Sequence, residues 1–94
     1  MRTFEDLVFE EDLAGIGGQR AAIFFGNGYG VSVIKTQFSY GGKNGLWEMA
    51  VLAGVNDKES YLRYDTPVTS DVLGHLTEAD VTEKMAEVQQ LKES

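Results

Sequence analysis

Glycine placement constrains this chain more than any other feature. Ten of its eleven glycines fall between Gly15 and Gly54. Most gather in the clusters Gly15-Ile-Gly17-Gly18, Gly26-Asn-Gly28-Tyr-Gly30 and Gly41-Gly42-Lys-Asn-Gly45. Such clusters punctuate short strands, because tight turns demand positive φ angles that glycine adopts without steric cost. The middle of the chain therefore reads as a β-meander, with no internal repeat.

The apolar patterning between the clusters supplies the strands. Residues 3–9 alternate loosely and predict a first strand. Gln19 to Phe25 and Val31 to Thr36 predict two more. The link Gly26-Asn27-Gly28-Tyr29-Gly30 contains Asn-Gly, the strongest short hairpin signal, so 19–36 should form an antiparallel hairpin. Leu46 to Ala53 is apolar on both faces apart from Glu48, which suits a central strand; a buried helix is the alternative. Ser60 to Tyr64 reads as an edge strand closed by Asp65-Thr66-Pro67.

The period changes in the last third. Thr77-Glu78-Ala79-Asp80 sets an N-cap hydroxyl before acids in a first helical turn. Val81, Met85, Val88 and Leu91 then recur at helical spacing, which predicts a helix over 78–92. Leu76 is placed to pack back on Val81 as a hydrophobic staple. Ser70 to Gly74 reads as one further helical turn, stopped by the glycine. The expected fold is one α+β domain over 1–94: an antiparallel meander of four to five strands with one C-terminal helix packed on one face. The opposite sheet face would stay open.

Composition narrows the chemistry. With no cysteine, a disulfide framework, a thiolate zinc site and a cysteine nucleophile are all excluded. One histidine excludes any site needing two imidazoles from one chain. No apolar run approaches the ~18–20 residues of a membrane span. The opening Met-Arg-Thr-Phe-Glu-Asp lacks a basic-then-apolar secretory pattern, so a soluble domain inside the cell is expected.

The formal net charge is −7, and it is unevenly spread. Residues 1–12 carry Glu5, Asp6, Glu10, Glu11 and Asp12 against Arg2; residues 71–94 carry Asp71, Glu78, Asp80, Glu83, Glu87 and Glu93 against Lys84 and Lys92. If the two ends meet in space they form one negative face. Such a face repels nucleic-acid phosphate and favours encounter with a basic partner. The plainer reading is that acidic ends keep the protein soluble.

No motif announces catalysis. Neither Gly15-Ile-Gly17-Gly18 nor Gly26-Asn-Gly28-Tyr-Gly30 has the spacing of a dinucleotide-binding loop, and both lead into strands. Gly42-Lys43 is followed by Asn44 where a phosphate-binding loop requires Ser or Thr. His75 stands near Asp71 and Glu78, yet a lone histidine beside a glycine fits a local cap or a surface position better than a metal ligand. Glu48 is the one acid within an apolar strand; a solvated side of that strand is the preferred reading over burial. No cofactor is expected.

Tyrosine and tryptophan near glycine turns suggest contact rather than chemistry. Tyr29 lies at the first hairpin turn, Tyr40 precedes the Gly41–Gly45 loop and Trp47 follows it. Tyr29 and Tyr40 are hard to bury in so small a domain. The candidate binding residues are therefore Asn27, Tyr29, Tyr40, Lys43 and Asn44 on the loops, with Glu83 and Glu87 on the acidic helix face.

Three strings taken together resemble a group of small uncharacterised proteins of tailed bacteriophages: Asn27-Gly-Tyr-Gly-Val-Ser-Val33, Ser39-Tyr-Gly-Gly42 and Gly45-Leu-Trp-Glu-Met-Ala-Val-Leu52. The resemblance extends over Tyr64-Asp-Thr-Pro-Val-Thr-Ser-Asp-Val-Leu-Gly-His-Leu-Thr-Glu78. It implies a setting, an accessory phage product in the bacterial cytoplasm, and no functional residue. The expected function is a non-catalytic inhibitor that binds a host or antiviral protein bearing a basic surface, without touching nucleic acid or membrane. The alternatives are a homodimer or particle-accessory module that associates through Phe24, Val33, Trp47 and Met49, and a small-ligand or nucleotide binder using the loops at Tyr29 and Tyr40.

Overall fold

The Asn-Gly hairpin forms as its sequence predicts. Strands β2 (Gln19–Phe24) and β3 (Tyr29–Lys35) pair antiparallel, with Phe24 opposite Gly30 and Gln19 opposite Lys35. The turn is closed by Phe25 N–H donating to the Tyr29 carbonyl at 3.0 Å. This computed structural model describes residues 1–11, 18–36, 45–56, 58–63 and 73–91. Gly30 is in a strand because of what lies beside it: a Cβ there would run into the Ile23 carbonyl and the Phe24 ring.

The apolar segment after the third glycine cluster is a strand, not a helix. β4 (Trp47–Gly54) pairs with β3 along one edge, Val33 opposite Met49 and Val31 opposite Val51. Its other edge is shared. The C-terminal half of β4 pairs with β5 (Ser60–Arg63), and its N-terminal half with β6 (Leu73–Leu76). β5 and β6 run in the same direction, so together they make one interrupted edge strand. At the far side a two-residue strand, β1 (Glu10–Glu11), pairs with the start of β2. The described sheet has six antiparallel strands, and helix α1 (Glu78–Gln89) packs on one face.

Alternation along the strands builds that face. Ala21, Tyr29, Val31, Val33, Trp47, Met49 and Val51 form one buried cluster with Val81, Met85 and Val88 of α1. The three helix residues are fully buried and recur at the spacing that keeps one stripe on the sheet. Each contributes about 1.5–3 kcal/mol through removal of apolar surface from water. The helix starts where expected: Thr77 Oγ1 accepts from Asp80 N–H at 3.1 Å, and Thr77 N–H donates to Asp80 Oδ2 at 3.0 Å.

Two expectations are corrected. Residues 3–9 are not a strand; Phe4–Asp6 form a single 3₁₀ turn. Thr3 N–H donates to the Asp6 carboxylate at 2.8 Å and Asp6 N–H to the Thr3 carbonyl at 2.9 Å, so local bonds win over strand pairing. The turn lets Phe4 and Phe9 both reach Trp47, at ring-centroid distances of 5.3 and 4.6 Å. Likewise Gly74 does not end a helical turn, because Leu73–Leu76 is strand β6; positions 70–72 lie outside the described residues. The cause is a bulge. Met49 faces Leu73 and Trp47 faces Leu76, so Gly74 and His75 together oppose Glu48. His75 absorbs the extra residue with a φ of 56°. The bulge brings leucines three apart onto one side of the sheet, a spacing that in sequence resembles a helix.

Candidate interaction surface

The two acidic ends of the chain meet. Arg2 N–H donates to Gln89 Oε1 at 2.7 Å, and Gln89 Nε2 donates back to the Arg2 carbonyl at 2.8 Å. One amide side chain thus pairs with the backbone as a neighbouring strand would. Two residues on, Phe4 N–H donates to Thr82 Oγ1 at 3.0 Å. The N-terminal turn is fastened along one flank of α1.

This juxtaposition gathers carboxylates. Thr3, Phe4 and Glu5 line one side of an open cleft, with Glu78, Ala79 and Thr82 of α1 on the other. Glu5 and Glu78 are both exposed there. Asp6 is part-screened by Arg2, whose Nη1 lies 3.6 Å from Asp6 Oδ1. Asp80 stands at the same end of α1. Its carboxyl is held below the usual carboxylate range, mainly by the Thr77 backbone N–H and then by the Thr77 hydroxyl, with Lys84 adding to the effect. It stays ionised across the neutral range.

Glu83 and Glu87 lie one turn apart on α1. Glu83 is exposed, and among the described residues no cation pairs with it. Glu87 is less available, because Lys84 Nζ reaches its Oε2 at 3.1 Å. The docked ends thus bring Glu5 and Glu78 to one cleft, while Glu83 is exposed further along α1. Only the last was singled out from sequence; the others depend on a contact between residues more than seventy positions apart.

The loop candidates separate. Tyr40, Lys43 and Asn44 lie outside the described residues. Tyr29, expected to be exposed, is buried at 8% as the first residue of β3, inside the core cluster. Its ring joins the helix-covered face because Tyr29 alternates along β3 with Val31 and Val33, which point the same way. Asn27 also turns inward. Its Nδ2 donates to the Val88 carbonyl at 3.0 Å and the Leu91 carbonyl at 3.1 Å, with the Gln89 carbonyl at 3.5 Å. Its Oδ1 accepts from Tyr29 N–H at 3.1 Å. Asn27 fastens the hairpin turn to the C-terminal end of α1.

Of the residues read as a self-association surface, Val33, Trp47 and Met49 are in the helix-covered core. Phe24 falls on the other face, in register with Gly30 and Leu52. No described element lies over that face, although Leu52 at its centre is 5% exposed. Glu48 stands on that same face, next to Ile34 in register, and His75 is exposed at the bulge. Among the described residues no three His, Asp or Glu side chains gather as metal ligands. No described helix is long and apolar enough to cross a membrane.

Comparison with models of protein families, with curated proteins and with solved structures finds no match to this chain.

Proposed function

We propose that this protein acts by contact: it is a non-catalytic accessory factor of a bacteriophage that occupies the basic surface of a host or antiviral protein in the bacterial cytoplasm. The observation that carries the reading is the docking of the N-terminal turn on α1, which brings Glu5 and Glu78 from the two chain ends to one cleft, with Glu83 exposed on the same helix. With a net charge of −7, that face attracts a cationic surface at long range and repels nucleic acid. A groove built to bind phosphate is the kind of surface it fits, and occlusion of such a groove requires no chemistry from this chain.

The test is capture from bacterial lysate with tagged protein, in parallel with a Glu5→Lys, Glu78→Lys, Glu83→Lys variant. A partner held by the native chain at low salt, released at high salt and absent from the variant supports the reading. Equal capture by both proteins, or no partner even at low salt, sinks it.

A second reading, self-association, is favoured by the β4–β5 hairpin. Tyr61 and Leu62 of edge strand β5 are 63% and 45% exposed, and Val55 in the adjoining turn is 70% exposed. Light scattering that reports a monomer at high concentration would remove it.

A further inference from the structure

We propose that Asn27 is a latent modification site, where loss of the side-chain amide releases the C-terminal end of α1. Asn27 precedes Gly28, and an Asn-Gly pair is the sequence most open to intramolecular deamidation, since glycine leaves the following backbone nitrogen unobstructed. In that reaction the Gly28 nitrogen forms a bond to Asn27 Cγ. The Cγ–Nδ2 bond breaks, and ammonia leaves with the proton given up by Gly28. Water then opens the cyclic imide at one of its two carbonyls, giving aspartate or isoaspartate.

The native contacts bear on both the rate and the consequence. The leaving nitrogen is the donor held by the carbonyls of Val88 and Leu91, so cyclisation has to wait until the end of α1 moves away. Docking therefore protects the site. After conversion the lock does not re-form. Aspartate presents a carboxylate to carbonyl oxygens at the negative end of the helix dipole, and the last turn of α1 contains no basic residue to offset it. Isoaspartate also lengthens the main chain inside a turn closed by the Phe25–Tyr29 hydrogen bond. A transient opening thus becomes a permanent one, and the deamidated protein has a loosened helix end.

The chain contains its own reference, since Asn44 also precedes a glycine. The full-length protein is incubated at mildly alkaline pH, native and in urea, and conversion at Asn27 and Asn44 is followed in separate tryptic peptides by mass spectrometry. The expected result is similar conversion of the two in urea. Folding should slow Asn27 by about tenfold or more, the factor set by a local opening equilibrium. Conversion of Asn27 as fast in the native protein as in urea overturns the proposal. The product is then examined by hydrogen exchange, using the aged native sample or, where it folds, Asn27→Asp. Faster exchange in Met85–Leu91 supports release of the helix end. Unchanged exchange there in the converted protein overturns it.

Discussion

Replacing Asn27 with alanine separates a structural occupation from a binding one. The side chain makes two well-formed bonds to the carbonyls of Val88 and Leu91, at 3.0 and 3.1 Å, and accepts a third from Tyr29 N–H at 3.1 Å. A net hydrogen bond contributes about 1 kcal/mol, and the site is only half-buried, so water can repair part of the loss. The sum for Asn27→Ala is a destabilisation of about 2–3 kcal/mol. For a domain of this size that lowers Tm by about 10–20 °C. Trp47 is the only tryptophan and lies in the core at 6% exposure, so its fluorescence reports global unfolding, with circular dichroism following the helix. A loss below about 0.5 kcal/mol would mean that the turn and the helix end are not fastened through this amide. The role of Asn27 would then return to the surface.

Other consequences follow from single elements. Thr77→Ala removes the α1 cap and should cost about 1 kcal/mol in urea titration. Because the Asp80 carboxyl is held below its ordinary range when folded, its contribution is present at neutral pH and is lost as pH falls through that range; Asp80→Asn should flatten this acid dependence in thermal melts. His75 sits at a φ of 56°, so His75→Gly should stabilise by about 0.5–1 kcal/mol while His75→Val destabilises, both read in urea. At Gly54, with φ of 147°, an added Cβ would collide with the Glu59 carbonyl across the hairpin. Gly54→Ala should cost about 2–4 kcal/mol and perturb amide signals throughout β5 in NMR spectra.

What could be read ahead of the structure was whatever local pattern decides. Asn-Gly between two apolar runs placed the β2–β3 hairpin, and the Thr77–Asp80 pair with a period of 3.6 placed α1. The same Thr-x-x-Asp pattern stands at Thr3–Asp6, inside a segment whose loose apolar alternation suggests a strand. A carboxylate three residues after a threonine closes a turn by itself, whereas alternation needs a neighbouring strand to be worth anything. Local bonding had the stronger claim at both ends. β6 is hidden differently. Ser70 and Gly74 read as the cap and stop of a helical turn, whereas Gly74 sits in a bulge that sets Leu73 and Leu76 on one side of the strand.

The acidic face was legible only as a condition, that the ends should meet. What makes them meet is the Gln89 amide on the Arg2 backbone and the Thr82 hydroxyl on Phe4 N–H, contacts that span 87 and 78 positions. Neither residue type carries a pattern that signals such a partner, since any exposed glutamine or threonine on a helix would look the same. Burial of Tyr29 follows instead from its alternation with Val31 and Val33 onto the helix-covered face, while Asn27 ties the same hairpin to the far end of α1. The helix is therefore held twice by long-range side-chain bonds, once along its flank by the N-terminus and once at its end by the hairpin. The charge on the proposed surface is written in the composition, while its geometry depends on these few polar contacts. Breaking the Arg2–Gln89 pair should consequently disperse the negative face without altering a single charge, and Gln89→Ala should weaken capture of a basic partner while leaving the net charge at −7. Full capture by that variant would show that composition alone, and not the docked ends, draws the partner in.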